Sequence, residues 1–513
     1  MEKNNLVESI EALYTKYSND PYMSVRFQNF IRNQLPNVLE NMASQHQQRV
    51  SRTEELSVEF DTFISTFMNK NQYFYISSTE KFFYYDGKHY KQQNEDSILY
   101  QILTSITTGR NLMSWKYKTK VSIMKRIKDN SLLTSVPESD TIQNVIMSLY
   151  PTFFTSKTAA KYFLTILGDN ILKKRTDTIH LLPPYAKAFI RELNNYCQIN
   201  IGANLIQSLK LKYHEHDYSN CRLIHMNETI KYENIWRNMI DEIGIDIICV
   251  ATHYSSRYDN SDDFVINSQD EALNSHVFYL RDRTVGDLVG GFINDYITFD
   301  KPTSTITWRN LQYLWKHFLN SKKLPMVIFQ TNLKQELTKA LSANYIEASD
   351  TFQGIFSKFM PEIQNFVQFW DDTMVEDDNE QGLELEEIRY MFYKYSNFSI
   401  TDDQIIDLIQ YFYPNVIIEN DKYIQEIRCS LWDKHNNMKK IFDVIRTEWS
   451  DKDNDLSVYD AYLYYCKRYK KHKVNGTSDI GLIVHKSYFE NYVTKNFMDY
   501  IIEPGILSKS WFT

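Results

Sequence analysis

Between Thr178 and Gly202 the chain runs from an apolar stretch through two adjacent prolines into a helical pattern. Ile179 to Leu182 is short and apolar, which suits a buried strand. Pro183 and Pro184 stop it, because proline has no N–H for a ladder. Ala186 to Cys197 then reads as a helix. Further short apolar runs follow, at Arg222 to Met226 and Ile245 to Ala251, with a helical stretch at Tyr232 to Ile243 between them. Alternation of this kind from Thr178 to about Phe299 predicts an α/β layer with a largely parallel sheet. Ile179–Leu182, Arg222–His225 and Ile247–Val250 are expected to be neighbours in it.

A strand, a short loop with one lysine and a helix is also the layout of a phosphate-binding unit. Such a unit reads G-x-x-x-x-G-K-[ST], because glycine lets several backbone N–H groups turn toward one anion. Here the loop is Pro183, Pro184, Tyr185, Ala186, Lys187, Ala188. The prolines have no N–H to give, and Ala188 has no hydroxyl for magnesium. Lys187 is the one remnant, so the unit reads as an ATPase element that has lost its nucleotide.

The flanking regions are mostly helical. Leu6 to about Met68 carries helical spacing, for example at Leu35, Val38, Leu39 and Met42. Tyr73–Ile76 and Phe82–Tyr85 read as aromatic strands of a small meander. Asp86-Gly87 turns the chain again before His89-Tyr90, and a helix follows near Asp96 to Thr108. Thr141 to Leu172, Trp308 to Phe318 and Leu333 to Leu341 are helical. The acidic stretch Asp371 to Gly382 reads as a domain boundary. Beyond it Leu383–Phe392, Asp403–Phe412, Val458–Arg468 and Tyr488–Phe497 read as helices. No internal repeat of fixed period is visible.

Two motifs stand downstream of the proline loop in the order an ATPase needs. The run Cys221 to Met226 ends near Glu228, where such an enzyme places the carboxylate that orients magnesium or water. Ile245 to Ala251 ends at Thr252, His253 and Tyr254, where a helicase places an asparagine that senses the γ-phosphate. This order resembles superfamily 3 primase–helicases of large DNA viruses, the poxvirus and phage-plasmid group. Tyr73 to Ser105 is similar to the region before the helicase in that group, Phe163 to Asp169 to the helix before the phosphate loop, and Val458 to Phe497 to its C-terminal winged helix. The chain departs from the family in the missing glycines, in His253 for asparagine, and in the lack of an Asp-x-Asp pair.

The resemblance implies an α/β fold with large helical regions and a P-loop-ATPase-like parallel-sheet core. It implies a helical region with a meander over 1–135, a degenerate helicase-like core with a helical extension over 136–370, and a winged-helix-like domain over 371–513. Lys187, Glu228 and His253 are then vestigial catalytic positions, with ATP and magnesium expected only if an unconventional loop still works. DNA, replication proteins and self-association into a ring are the implied partners, and a viral replication site in the infected cell the implied location. Two other readings stay open: a working ATPase with an unconventional loop, and a structural or virion interaction protein unrelated to helicases.

Outside that frame, Lys467, Arg468, Tyr469, Lys470, Lys471, His472 and Lys473 form a basic run with an interleaved aromatic. Such a run neutralises phosphates while the ring stacks on a base; its plain alternative is a solvated helix end. Lys116, Lys118, Lys120, Lys125, Arg126 and Lys128 form a second, weaker candidate. His214, His216, Cys221 and His225 are zinc-type ligands, but their spacing matches no zinc motif and no metal is expected. Asp451, Asp453 and Asp455 fail as a calcium loop, since Leu456 and Tyr462 stand where glycine and glutamate belong.

Bulk composition bounds these readings. The 513 residues carry a net charge of -8 and are 43% hydrophobic and 24% charged, as in a soluble globular protein. Any binding to nucleic acid must therefore come from a local patch. No apolar run reaches the ~18 residues a membrane span needs, and the polar start Met1 to Asn5 gives no sign of a signal peptide. The 5 cysteines are far apart and odd in number, which fits a reducing compartment better than a disulfide framework.

Overall fold

The computed structural model describes residues 2–110, 112–173, 177–299, 304–377, 382–449, 455–472, 482–503 and 505–511. They fall into two compact units, one of 1–285 with 322–330 and one of 286–321 with 331–513. These limits divide the chain differently from the boundaries read from sequence. At 371 in particular, the chain runs from the helix Met360–Thr373 straight into the strand Met374–Glu376, which pairs with Ile427–Cys429.

The first unit opens with helices α1 (Glu2–Tyr17), α2 (Pro21–Asn29) and α3 (Leu35–Lys70). Strands β1 (Gln72–Ile76), β2 (Lys81–Tyr85) and β3 (Tyr90–Gln93) form the expected antiparallel meander. Its aromatic residues alternate between two cores. Tyr73 and Phe82 pack with the end of α3, α4 (Glu95–Gly109) and α5 (Lys116–Asp129), while Phe74, Phe83 and Tyr85 face the larger core. A period of two along a strand does this whenever both faces are covered.

The larger core is built on α6 (Ser139–Leu149), α7 (Lys157–Leu172), α8 (Lys187–Ile201) and α9 (Glu233–Ser256). From Ala159 to Ile171 the only residue of α7 that is not buried is Lys161, as expected of a helix that is apolar on all sides and central. It packs closely on α9. A Cβ on Gly168 would stand 2.1 Å from the Ala251 carbonyl oxygen, so only glycine fits there. The short helices α10 (Ser261–Asn267) and α11 (Glu271–Val277) close the unit.

The sheet is small: β5 (Leu209–Lys210), β4 (Ile179–Leu181) and β6 (Cys221–Leu223), all parallel with β4 in the middle. A parallel bridge from Lys212 to Met326 extends it by one position. Two of the three expected neighbours are thus in the sheet. The third is corrected: Ile245–Ala251 is not a strand but the second half of α9. The amphipathic pattern that begins at Glu233 runs into it with no proline to stop it. A single distorted residue, Ile243, re-aims the helix without ending it.

The second unit repeats one topology three times, in the order helix, strand, helix, helix, strand, strand. The first pass uses Val285–Tyr296, Thr305–Thr307, Trp308–Ser321, Gln330–Ala340, Tyr345–Ile346 and Thr351–Gln353. The second uses Met360–Thr373, Leu383–Glu384, Leu385–Ser396, Asp402–Phe412, Ile418–Glu419 and Tyr423–Ile424. The third uses Lys434–Trp449, Leu456–Ser457, Val458–His472, Lys486–Asn496, Ile501–Glu503 and Ile506–Leu507. In each sheet the last strand lies between the other two.

Equivalent residues do equivalent work in the three passes. Ile306, Leu383 and Leu456 are buried on the first strand. Trp315, Phe392 and Tyr465 are buried two turns into the second helix. The N–H groups of Trp308, Leu385 and Val458 donate to the carbonyls of Asp350, Lys422 and Gly505, each just ahead of the last strand. Turns of different length separate these positions, so the repeat has no fixed period.

Candidate functional site

The strand order changes at the exit of β4, since β5 lies on one side of it and β6 on the other. A crevice opens at such a point in ligand-binding α/β sheets. Here it is closed. Pro183 is extended, Pro184–Ala186 form a single 3₁₀ turn, and α8 begins at Lys187. The Ala186 N–H donates to the Pro183 carbonyl, and the Lys187 N–H to that of Pro184. The Tyr185 hydroxyl donates to the Met226 carbonyl at 2.7 Å, tying the exit of β4 to that of β6. Burial, then the nearby Glu228 charge, pushes this hydroxyl up to about 12, so it stays a donor at all ordinary pH.

The three vestigial positions do not converge. Lys187 is exposed. Glu228 sits in a 3₁₀ turn, exposed, and pairs with Lys231 at 2.6 Å. His253 lies on α9, half-buried, and its pKa is lowered by burial and then by Arg257. Among the described residues none of the three is bonded to another.

The titratable groups inside the sheet are structural. The His180 ring is fully enclosed and bonded to the Ser208 and Ser261 hydroxyls at 2.9 and 3.0 Å. Burial, with Arg222 behind it, lowers its pKa to about 3, so it is neutral. The possible zinc ligands also part company. His214 stacks on Phe329 at 3.8 Å, Cys221 is a buried β6 thiol pushed up to about 12 by burial, and His225 is held by the Lys323 ammonium at 2.9 Å. Among the described residues no group of three or more His, Cys, Asp or Glu could hold a metal.

Of the basic run, Lys467 is exposed near the end of the helix Val458–His472. The side chains of Arg468, Tyr469, Lys470 and Lys471, and all of Lys473, lie outside the described residues. The α5 lysines are described, and aromatic rings hold several of them. Lys118 sits 4.0 Å over Trp115 and Lys120 5.2 Å over Tyr117.

A surface missed in the sequence lies on the next described helix along the chain. The helix Lys486–Asn496 buries Tyr488, Phe489, Tyr492 and Val493 and turns Lys486, Ser487, Glu490, Asn491, Thr494, Lys495 and Asn496 outward, with the Lys486 ammonium 3.4 Å from the Glu490 carboxylate. The corresponding helix of the second pass, Asp402–Phe412, starts with two aspartates. It is also taken up by the first pass: the Phe412 carbonyl accepts from Arg309 at 2.6 Å, and Tyr411 donates to the Arg309 carbonyl. The signal in the sequence was the polar spacing 487, 491, 494, which a reading for apolar stripes passes over.

Comparisons of the chain with known protein families, with characterised proteins and with solved structures find no match. Its function is therefore argued from its own geometry.

Proposed function

We propose that the chain is a nucleic-acid-binding scaffold, of the kind its resemblance to superfamily 3 primase–helicases implies, which does not turn over ATP. One observation carries the reading. Lys486–Asn496 is the third helix of a helix–strand–helix–helix–strand–strand pass, which is the winged-helix layout, and it turns an uncovered polar face with two lysines outward. In such modules the second helix of the helix–turn–helix enters the major groove and carries the base contacts. Asn491 and Ser487 are residue types that read base edges, Lys495 neutralises phosphates, and Lys486 does so on leaving its exposed ion pair with Glu490. The basic run from Lys467 leads into this helix along the chain.

The placement of β4 between β5 and β6 supports a P-loop-like origin for the first unit. The closed exit supports loss of the nucleotide. Each charge-assisted donor lost costs about 1.5–3 kcal/mol, so two or three missing donors weaken ATP binding by roughly 10² to 10⁶-fold. DNA and other replication proteins are the partners of this reading, and a viral replication site its location. The helical Ile245–Ala251 favours a second reading, an interaction protein unrelated to helicases, because it removes the strand on which His253 would act as a sensor.

Fluorescence anisotropy with a labelled DNA duplex over a salt series tests the proposal. The full chain is expected to bind, and K486A/N491A/K495A to flatten the slope of log affinity against log salt by about 1.8, at ~0.9 per phosphate contact. Absence of binding, or an unchanged affinity and slope in the variant, defeats it. ATP hydrolysis that disappears in Lys187→Ala defeats the nucleotide half alone.

A further inference from the structure

Helix α5 carries six cations, Lys116, Lys118, Lys120, Lys125, Arg126 and Lys128, and one carboxylate, Asp129. Its inner face is spent: Ile123, Met124 and Ile127 are buried in the smaller core. Its outer face is open and exposes Tyr117, Lys118, Val121, Lys125, Arg126 and Lys128. Lys118, Val121, Lys125 and Lys128 follow at steps of three, four and three. Three lysines therefore stand on one line, about 15 Å long at 1.5 Å per residue.

Most of this positive charge is left uncancelled, in a chain whose net charge is -8. Among the described residues only Lys128 has a carboxylate in ion-pair range, Glu95 at 3.9 Å. The other partners are rings. Lys118 lies over Trp115 and Phe60, and Lys128 over Tyr75 and Phe82. A ring holds an ammonium in place without neutralising it. The line of lysines also ends at an opening. Lys128 lines a cleft of about 470 Å³ with Tyr75, Ser77, Ser131, Asn204 and Gln207. That volume is within the range of small-ligand sites. Its hydroxyls and amides supply the donors and acceptors that a base edge needs. At the other end of the line, Tyr117 is 75% exposed.

We propose that this face binds a single strand of nucleic acid. Lys118, Lys125 and Lys128 meet phosphates, one base stacks on Tyr117, and another enters the cleft beside Lys128. A base paired in a duplex leaves its stack only at a cost, so the cleft favours single strands. An anionic membrane surface is the other partner that lysines attract. A helix lying on a membrane needs an apolar face to bury there, and that of α5 is already in the core. The site lies in the first unit and the helix Lys486–Asn496 in the second, so this inference is independent of the duplex reading.

Fluorescence anisotropy of the full chain with labelled oligothymidine over a salt series tests it. The wild type is expected to bind. K118A/K125A/K128A is expected to weaken binding by about 100-fold at ~0.1 M salt and to flatten the salt slope by about 2, at ~0.7 per single-strand phosphate. K118A/K125A, which leaves the packing of Lys128 untouched, should lose about two thirds of that slope change with an unchanged melting temperature. Tyr117→Ala should weaken binding about 10-fold. Gln207→Trp, which fills the mouth of the cleft, should weaken it while keeping the salt slope. K486A/N491A/K495A should bind oligothymidine as the wild type does. A wild type that does not bind, or equal affinity and slope in the α5 variants, overturns the proposal. If the wild type sediments with phosphatidylserine vesicles, K118A/K125A/K128A does not, and the two bind oligothymidine alike, the face is a membrane site and the proposal falls. Oligothymidine binding lost only in K486A/N491A/K495A also overturns it, and leaves the reading of Lys486–Asn496 standing.

Discussion

Two apolar runs read alike in this sequence, Ile179–Leu182 and Ile245–Ala251, and they fold differently. Each is rich in isoleucine and leucine or valine, and each holds a buried residue that carries charge in water, His180 or Asp246. The first becomes the middle strand of a sheet and the second the central turns of a helix. What differs is the flank. Pro183 and Pro184 end the first run after a few residues. The second continues an amphipathic stretch of three turns and meets no breaker before Ser256. Composition marked both as buried, and punctuation decided which period they took.

The two polar residues differ in the same way. His180 is enclosed by neutral hydroxyls, so its charge has nothing to meet. Asp246 is enclosed too, but its carboxylate accepts the Tyr90 N–H at 2.7 Å and His89 Nδ1 at 2.7 Å. It ties the β2–β3 hairpin of the meander onto α9. Burial still raises the Asp246 pKa, against the lowering effect of those two donors.

The largest expected effect separates these residues by pH. The folded pKa of His180 lies near 3, below its ordinary value near 6.5, so the unfolded chain binds the proton first. The stability this histidine provides is complete above pH 6.5 and drains away as the pH falls toward 3. The slope is about 1.4 kcal/mol per pH unit in that window, for a total of roughly 5 kcal/mol at pH 3 and below. Urea unfolding at pH 7 and pH 4.5 should show about 3 kcal/mol of this loss in the wild type and much less of it in His180→Gln. Equal acid sensitivity in the two proteins would mean that the ring is not enclosed as described.

The next effect tests the helix in place of a strand. Gly168→Ala forces a methyl into the Ala251 carbonyl across the α7–α9 contact. Neither backbone can yield without moving its helix, so a loss of about 3 kcal/mol is expected. Were Ile245–Ala251 a strand elsewhere, the same change would relieve a helical glycine and stabilise by about 0.5–1 kcal/mol. The sign of the change in melting temperature therefore decides between the two.

What the sequence disclosed follows from the same contrast. The meander, α4, the strand at β4 and its neighbour β6 were legible because turns and prolines bracket them. The threefold pass of the second unit was not. Trp308, Leu385 and Val458 begin equivalent helices with different residues, and the loops between the passes differ in length. The shared element and strand order exposes the repeat, and the hydrogen bond from the residue that opens the second helix to the residue ahead of the last strand fixes its register. The outward face of Lys486–Asn496 was hidden for a different reason. Its polar residues make no core, and the strongest apolar signal nearby, the tyrosines, belongs to its buried side.

The smallest effect concerns Asp246, and it asks whether its charge or its hydrogen bonds hold the hairpin. In Asp246→Asn the amide oxygen can still accept the Tyr90 N–H. The amide nitrogen then faces His89 Nδ1, which becomes an acceptor once the ring moves its proton to Nε2. Both contacts survive as neutral bonds, and the carboxylate's desolvation cost disappears with its charge. The two changes oppose each other, so a net loss of about 1 kcal/mol or less is expected. His89→Ala is the contrasting case. It leaves a buried carboxylate oxygen without its donor, which costs about 1–3 kcal/mol, more than removing the charge itself. Thermal melts of the two variants at pH 7 give the order directly. If Asp246→Asn proves the more damaging, the His89–Asp246 pair acts as an ion pair rather than as a hydrogen-bonded anchor, and Asp246 differs from His180 in charge state and not only in its partners.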